Sequence, residues 1–515
     1  MPENILTHLL KRTSKQQRIA FLSAVIIGLL CHLYIMVNYL PNHDGTINIY
    51  NTQKKYSLGR FLLSPLAGIS SYFDLTWVNG WLAILYLACT AFMLVALFNI
   101  KKNSSAILMS ALVVTFPVVS STFGYMFTAD GYMLATLFTV IAIYMTNQYK
   151  HGWIVGIVLF FIALATYQAN LPFMMTLVTL YSIQQLLLKS NVKQTLIRLG
   201  KQAFVAISSL LIYFPLFKWY QSKEAITDYQ GLSEATSLST QGIGTKISLM
   251  IEKFNSFFFA PLVSDVNWTP FDVLNVCIIV IGIAGLLYVI VSEKVYKHVS
   301  ATLLIGLFLI ALPFLTYSLY FVSENVSYHM LMVYSHIAIY LLPILIYDRL
   351  ERLTIPTVVY SWSAFIIVVV TSFNFMLIAN ISYFNATLKY EKSTALAQSI
   401  YNEASHLDGF MEAEYLYVDG RYAMDATLST DILPNRIPEM TGLMGEHFLA
   451  QPYHYQYVFR NHIGHNFELL SDEADVKALQ QTEEFKTMGV WPAKDAVKVI
   501  DDVLVINFRE RTNGQ

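Results

Sequence analysis

The chain has 515 residues, of which 55% are hydrophobic, 14% aromatic and only 13% charged, with a formal net charge of −1. A soluble chain would carry roughly a quarter charged residues, so this composition excludes an ordinary soluble protein and predicts a polytopic α-helical membrane protein. The sequence contains no P-loop, GxGxxG, HExxH or CxxC pattern, which leaves nucleotide hydrolysis, dinucleotide redox chemistry and zinc chemistry without support. We expect no nucleic-acid partner.

Apolar runs near twenty residues recur from the N-terminus to about residue 380, and each is long enough to cross ~30 Å of hydrocarbon. The first run is too long for a signal peptide and lacks a small-residue cleavage site, so we predict that it is retained as the first span. About 11 transmembrane helices are predicted, at 19–40, 78–99, 104–124, 129–147, 152–168, 170–188, 202–220, 272–292, 299–321, 329–347 and 355–379. The short fifth and sixth segments could instead form one re-entrant pair.

Among the short connections, lysine and arginine occur only in alternate ones, which predicts the orientation of the chain. The N-terminal segment is basic, and so are the connections containing Lys101, Lys150, Lys193, Lys294 and Arg349, whereas the short tips between them carry no Lys or Arg. The N-terminus is therefore predicted to be cytoplasmic. An odd number of spans then places three longer segments outside, at 41–77, 221–271 and 380–515.

The segment from residue 385 onward has a different composition, with acids, histidines and turn residues between short alternating runs. "EYLYVDG" and "VKVIDDVLVINF" are typical of strands, and "NATLKYEKSTALAQSIYNEASHL" is typical of an amphipathic helix. We predict a transmembrane catalytic domain at 1–384, with outer loops 41–77 and 221–271, and a small extracytoplasmic α+β domain at 385–515. "KVIDDVLVIN" predicts a hairpin that turns at Asp501-Asp502.

Several polar residues lie at the predicted outer face, where an ionisable group is costly unless it meets water, a partner or a ligand. They predict a polar cavity there: Asp44, Arg60, Asp130, Tyr167, Gln168, Glu324 and His329. Each has a structural alternative. The two aspartates could cap helices, Arg60 could reach lipid headgroups, Tyr167 could belong to an aromatic belt, Gln168 could pair with nearby backbone, and His329 could be structural.

The chemistry that fits these residues is transfer of a sugar from a lipid phosphate to an acceptor hydroxyl. Such an enzyme needs a carboxylate to take the acceptor proton, cationic groups to stabilise the leaving phosphate and an apolar groove for the lipid. We assign Asp44 as the base, with Asp130 as the other catalytic candidate, and Arg60 as the phosphate ligand. A single base predicts inversion at the anomeric carbon.

At these residues the chain resembles the bacterial Gtr-type serotype-converting glucosyltransferases, the glucosyltransferase-domain family, and its layout resembles the GT-C superfamily. The matching pieces, in order, are the first outer loop with its acid and "GR", "FTAD", "YQAN", "YEKSTALAQSIYNEASHLDG", "IPEMTG" and "VWPAKDAVKVIDDVLVIN". The family's first loop often has two adjacent acids, whereas here the pair is His43-Asp44. Asp44 keeps the base role, His43 is assigned to substrate binding, and the role of the missing acid stays open.

The resemblance implies a GT-C-like fold and a multi-pass enzyme of the bacterial cytoplasmic membrane. It implies undecaprenyl-phosphate glucose as donor, a surface polysaccharide such as O-antigen as acceptor, and as partners a donor-synthesising glycosyltransferase and a small flippase. Tyr167, Gln168, Glu324 and His329 are assigned to substrate binding; no metal ligands are assigned, and a divalent cation stays open as cofactor. The alternatives are a transporter or flippase of lipid-linked sugars, which should show inverted repeats and midplane charges, and a GT-C transferase of another sugar.

Overall fold

The computed structural model of the chain describes residues 13–188, 191–223, 242–322, 326–351, 354–422, 437–444 and 448–509. Its helices are α1 (Lys15–Val37), α2 (Leu63–Ala67), α3 (Thr76–Phe98), α4 (Asn103–Thr115), α5 (Pro117–Phe123), α6 (Met126–Gln148), α7 (Gly152–Thr166), α8 (Asn170–Leu187), α9 (Val192–Gln221), α10 (Ile243–Phe258), α11 (Ala260–Val263), α12 (Pro270–Ser292), α13 (Val299–Thr316), α14 (Ile337–Arg349), α15 (Ile355–Ala404), α16 (Pro452–Val458), α17 (Glu473–Gln481) and α18 (Glu483–Lys486). Four strands follow from residue 415: β1 (Tyr415–Asp419), β2 (Glu468–Leu469), β3 (Val497–Ile500) and β4 (Val503–Asn507).

The fold is mostly helical, as predicted, with a small sheet near the C-terminus. Within the described residues, seven helices are long and apolar enough to cross a membrane, or eight if the bent pair α4 and α5 forms one span. The pair bends by 41° at Pro117, because a proline holds the residue before it, here Phe116, in an extended conformation. α7 and α14 have only 15 and 13 residues, so the count of about 11 spans stays a prediction.

The long helices expose apolar side chains on the outside of the bundle, as membrane helices do. Leu30 of α1, Leu211 of α9 and Leu303 of α13 are 68%, 69% and 68% exposed. Bare hydrocarbon on this scale is unfavourable in water. The surface is therefore that of a membrane protein.

The chain divides into two compact units, which are described separately. The first comprises Met1–Asn38, Asn51–Ile381 and Pro434–Thr441, and the second comprises Tyr39–Tyr50, Ser382–Leu433 and Gly442–Gln515. The predicted outer loop 41–77 is thus divided between them, because its first part packs with residues of the C-terminal segment: the Asn461 side-chain amide donates to the Thr46 carbonyl at 3.4 Å.

At one end of the first unit, connections that the sequence analysis assigned to the cytoplasmic side meet. The Asp348 carboxylate accepts hydrogen bonds from the backbone N–H groups of Lys101 and Lys102, at 3.0 and 2.8 Å. The Arg349 guanidinium pairs with Glu293 and donates to the Leu187 carbonyl at 2.8 Å. A polar cavity of about 1060 Å³ opens among these helix ends. Their meeting is consistent with one shared side of the membrane, while the sidedness itself stays a proposal.

The second unit contains a four-stranded sheet in the order β2-β1-β4-β3. β1 is parallel to both of its neighbours, and β3 and β4 form an antiparallel hairpin in which Ile500 pairs with Val503. Asp501 occupies the turn with φ +54°, a left-handed conformation that aspartate tolerates in tight turns. The predicted strands "EYLYVD" and "VLVIN" match β1 and β4. The predicted amphipathic helix is continuous with the last span, and together they form the 50-residue helix α15.

Candidate active site

Arg60 is presented by a tight turn between α1 and α2. The Arg60 N–H donates to the Lys55 carbonyl at 3.1 Å and the Gly59 N–H to the Tyr56 carbonyl at 2.9 Å. Gly59 has φ +70°, and a Cβ there would lie 2.1 Å from the Tyr213 hydroxyl and 2.8 Å from the Gln168 amide nitrogen. Only glycine fits this position, because both the backbone conformation and the available space exclude a side chain.

Two side chains hold this turn: Gln168, from the connection between α7 and α8, and Tyr213, from α9. The amide nitrogen of Gln168 donates to the Leu58 carbonyl at 2.7 Å and to the Tyr213 hydroxyl at 2.9 Å, and that hydroxyl donates to the Gly59 carbonyl at 3.2 Å. Gln168 therefore pairs with backbone, as the structural alternative for this residue predicted. That backbone belongs to the Arg60 turn. Tyr213 was not among the residues predicted from the sequence. A tyrosine hydroxyl within an apolar span needs a hydrogen-bond partner, and on this ground Tyr213 could have been predicted as a site residue.

The Arg60 guanidinium lies against two stacked tyrosine rings. Its Nη1 donates to the Tyr132 hydroxyl at 3.0 Å, and its carbon lies 5.0 Å from the centroid of the Tyr167 ring. The rings of Tyr132 and Tyr167 stack with centroids 4.4 Å apart. A cation over an aromatic face is held by the ring's quadrupole, most strongly where water is excluded. The charge of Arg60 is therefore fixed in place rather than left to follow the lipid headgroups.

His329 lies within electrostatic reach of Arg60. Burial and, to a smaller extent, the nearby Arg60 guanidinium together lower the pKa of His329 to about 4. Its Nδ1 is buried and has no hydrogen-bond partner among the described residues. His329 is therefore neutral near pH 7, and one ring nitrogen remains available to a ligand.

A narrow apolar groove begins at Arg60 and runs between the ends of several helices. It is lined by Arg60, Leu164, Tyr167, Gln168, Ala169, Leu171, Leu210, Tyr213, Phe214, Phe217, Leu319, Val322, Val326 and Met332. Arg60 is the charged side chain among these lining residues, and a cation beside mainly apolar walls fits an anionic head group attached to a hydrocarbon chain. Arg60, Tyr167, Gln168 and His329 thus form one cluster, and the structure adds Tyr132 and Tyr213 to it.

Asp130 belongs to the same unit but lies on another face of α6. It is 1% exposed, and its polar neighbours are Ser70 and Asn79. Two residues along a helix are about 200° apart around the axis, so Asp130 and Tyr132 point in different directions. The N-cap of α6 is Tyr125; Asp130 does not cap this helix.

His43 and Asp44 belong to the second unit. The Asn42 side-chain oxygen accepts the backbone N–H groups of Asp44 and Gly45, both at 3.0 Å, so the chain turns here without starting a helix. The Asp44 carboxylate is 40% exposed and lies 3.6 Å from His43 Nε2. Asp44 is therefore not a helix cap, and its carboxylate is accessible. Glu324 lies outside the described residues, and within them no three His, Cys, Asp or Glu side chains converge as metal ligands.

A family model shows which family the chain is related to. The model described as glucosyl transferase GtrII matches residues 33–347, which is more than half of the chain and includes the Arg60 turn, Asp130 and the Tyr167-Gln168 tip. Comparison with curated proteins and with solved structures finds no match. The chain therefore belongs to the GtrII glucosyl transferase family and is a membrane glycosyltransferase.

Proposed function

We propose that this protein is an inverting glycosyltransferase that moves a glucosyl group from a polyprenyl-phosphate donor to a hydroxyl of a surface glycan, such as O-antigen or wall polysaccharide. The reaction takes place at the outer face of the bacterial cytoplasmic membrane. The family membership supports sugar transfer. The observation that carries the donor assignment is the guanidinium of Arg60, which lies against the Tyr167 ring and lines the apolar groove.

The donor side of the proposal follows from the chemistry of this cluster. Arg60 binds the phosphate through charge-assisted hydrogen bonds, and the groove takes the first isoprene units. The neutral His329 supplies a hydrogen bond to a donor oxygen. As the bond between the anomeric carbon and the phosphate oxygen breaks, negative charge develops on the phosphate, and Arg60 stabilises it.

The acceptor side rests on Asp44. The acceptor hydroxyl attacks the anomeric carbon and forms the new glycosidic bond, and its proton passes to the Asp44 carboxylate. The polyprenyl phosphate leaves from the opposite face of the sugar, which inverts the anomeric centre. A divalent cation stays open as a cofactor. A donor-synthesising glycosyltransferase and a small flippase would supply the lipid-linked sugar at this face.

The test measures hexose transfer from undecaprenyl-phosphate glucose by membranes that contain the protein, at varied donor concentration. Arg60→Ala should raise the donor KM by about tenfold or more, and Arg60→Lys by less, because lysine keeps the charge but loses the bidentate fork. Lys54→Ala, which removes an exposed cation of the same segment, is the matched control. Wild-type donor kinetics in Arg60→Ala would place the phosphate elsewhere and overturn the donor assignment.

A further inference from the structure

His454 carries a buried hydrogen-bond donor with a defined tautomer. The residue is 1% exposed, and its Nδ1 accepts the N–H of Gln451 at 3.0 Å as part of the cap of α16. Because Nδ1 accepts, the proton of the neutral ring is on Nε2. Burial lowers the pKa of His454 to about 4, with smaller contributions in the same direction from His43 and Arg421. The ring is therefore neutral at pH 7 and presents an Nε2–H donor.

This donor and the hydroxyl of the next residue, Tyr455, are unsatisfied. His454 Nε2 and the Tyr455 hydroxyl oxygen are both buried and have no hydrogen-bond partner among the described residues. Tyr455 is 2% exposed. Each buried polar group without a partner costs about 1–3 kcal/mol, and native structures contain few of them. Two such groups on consecutive residues of one helix indicate a place where a polar ligand completes the hydrogen bonding.

The surroundings of these donors belong to the same unit as the proposed base. The His454 ring lies 6.5 Å from the His43 ring, and His43 Nε2 lies 3.6 Å from the Asp44 carboxylate. Arg421 acts electrostatically on both His454 and Tyr455. The turn that carries Asp44 is therefore packed against the helix that carries the two donors.

We infer that His454 and Tyr455, beside Arg421 and the His43-Asp44 turn, form the subsite that binds the hydroxyl groups of the glycan acceptor. The inference deepens the proposed function and rests on it. Carbohydrate hydroxyls accept hydrogen bonds from the Nε2–H and the phenol and donate to a carboxylate. A phosphate fits this subsite less well, since the two donors are neutral and the Asp44 carboxylate repels an anion.

Tyr455→Phe is the principal variant, because it removes only the hydroxyl and keeps the ring that packs 5.6 Å from Phe508. The hydroxyl has no hydrogen-bond partner among the described residues, so stability should be unchanged or slightly increased. Acceptor KM should rise about threefold to tenfold, the worth of one hydrogen bond, while the donor KM stays at the wild-type value.

His454→Asn tests the second donor while keeping the cap. The asparagine Oδ1 replaces Nδ1 as the acceptor for the Gln451 N–H, and Nε2 is lost. The expected effect is a rise in acceptor KM of the same size, again without a change in donor KM. Tyr417→Phe is the matched control: Tyr417 is in the same unit, its hydroxyl accepts from Gln480 at 2.7 Å, and its loss should lower stability without changing acceptor KM.

A direct binding measurement separates this inference from the proposed function. The full chain in nanodiscs is titrated with lipid-free polysaccharide released from the host envelope, with no donor present. Weaker binding by Tyr455→Phe and His454→Asn than by the wild type supports the subsite. Equal binding by all three proteins, or none by the wild type, overturns it. Failure of the wild type to transfer hexose would overturn the proposed function instead and leave this binding result to decide the subsite.

Discussion

Arg60 and Tyr132 are 72 positions apart in the chain, and the guanidinium donates to the phenol at 3.0 Å. Tyr132→Phe should keep the stacked ring and lose this bond. Because a hydrogen bond to a charged group contributes about 1.5–3 kcal/mol, we expect donor KM to rise about tenfold with little change in protein yield. Tyr144→Phe, near the other end of the same helix, is the control; equal kinetics in the two variants would remove Tyr132 from the positioning of Arg60.

Gly59→Ala should disrupt the Arg60 turn. The new Cβ would meet the Tyr213 hydroxyl, and an L-residue at positive φ adds roughly 1–2 kcal/mol of strain. We expect a lower melting temperature and loss of most transfer activity. The double variant Gly59→Ala, Tyr213→Phe removes the contact with the Tyr213 hydroxyl but neither the contact with the Gln168 amide nitrogen nor the backbone strain, so it should recover only part of the stability. Full recovery would show that the backbone conformation at Gly59 is unimportant.

The two acidic candidates give different predictions. Asp44→Asn should fold and still bind donor but lose transfer by about 10²–10⁴-fold, the usual worth of general-base assistance. Asp130→Asn is the matched control, since it changes a carboxylate that lies among Ser70 and Asn79. Transfer rates at saturating donor and acceptor compare them. Near wild-type activity in Asp44→Asn, together with a large loss in Asp130→Asn, would reverse the assignment.

The low pKa of His329 predicts a dependence of stability on pH. Between pH 6.5 and about 4 the unfolded chain takes up a proton at His329, whereas the folded protein does not. The unfolded state therefore binds more protons, and the free energy of unfolding falls as the pH falls through this range. In His329→Gln the stability should decrease less as the pH falls. The measurement is the melting temperature in detergent from pH 4.5 to 7.5. The exposed His406→Gln is the control, and an unaltered slope in His329→Gln would contradict the burial of the neutral ring.

The sequence predicted the mostly helical fold, because its signals are local, whereas the predicted site residues stay a prediction: Tyr167, Gln168 and His329 lie near Arg60, but Asp130 lies on another face of α6. Hydrophobic length marks the helices, and Arg60, Tyr167, Gln168 and His329 all come at helix ends of the same predicted side. The direction of Asp130 was not predictable, since its helix is apolar nearly all round and gives no periodic face. Tyr132 and Tyr213 were missed because a tyrosine in a span is common. Their roles at the site stay predictions.

The position of Asp44 was harder to predict for a different reason. Its turn packs with residues of the C-terminal segment, such as Asn461, some four hundred positions away. Contacts between residues so far apart in the sequence do not affect the local hydrophobic periodicity. The entropic cost of closing so long a loop is only slightly larger than the cost of closing a shorter one. Sequence patterns alone therefore grouped Asp44 with Arg60 in a single loop.

Tyr39–Tyr50 belongs to the same compact unit as the C-terminal segment. This limits how many times the chain between them can cross the membrane. If the second unit lies wholly on the outer side of the membrane, as we propose, a chain that leaves it at residue 50 and returns at residue 382 crosses the bilayer an even number of times in between. Of the seven candidate helices in the described residues, six follow residue 50, and the predicted set of eleven leaves ten, so both satisfy the condition. If the bent pair counts as an eighth span, seven crossings follow residue 50, and this odd number does not meet the condition. If the bent pair α4 and α5 crosses the membrane, another short helix such as α7 must cross as well.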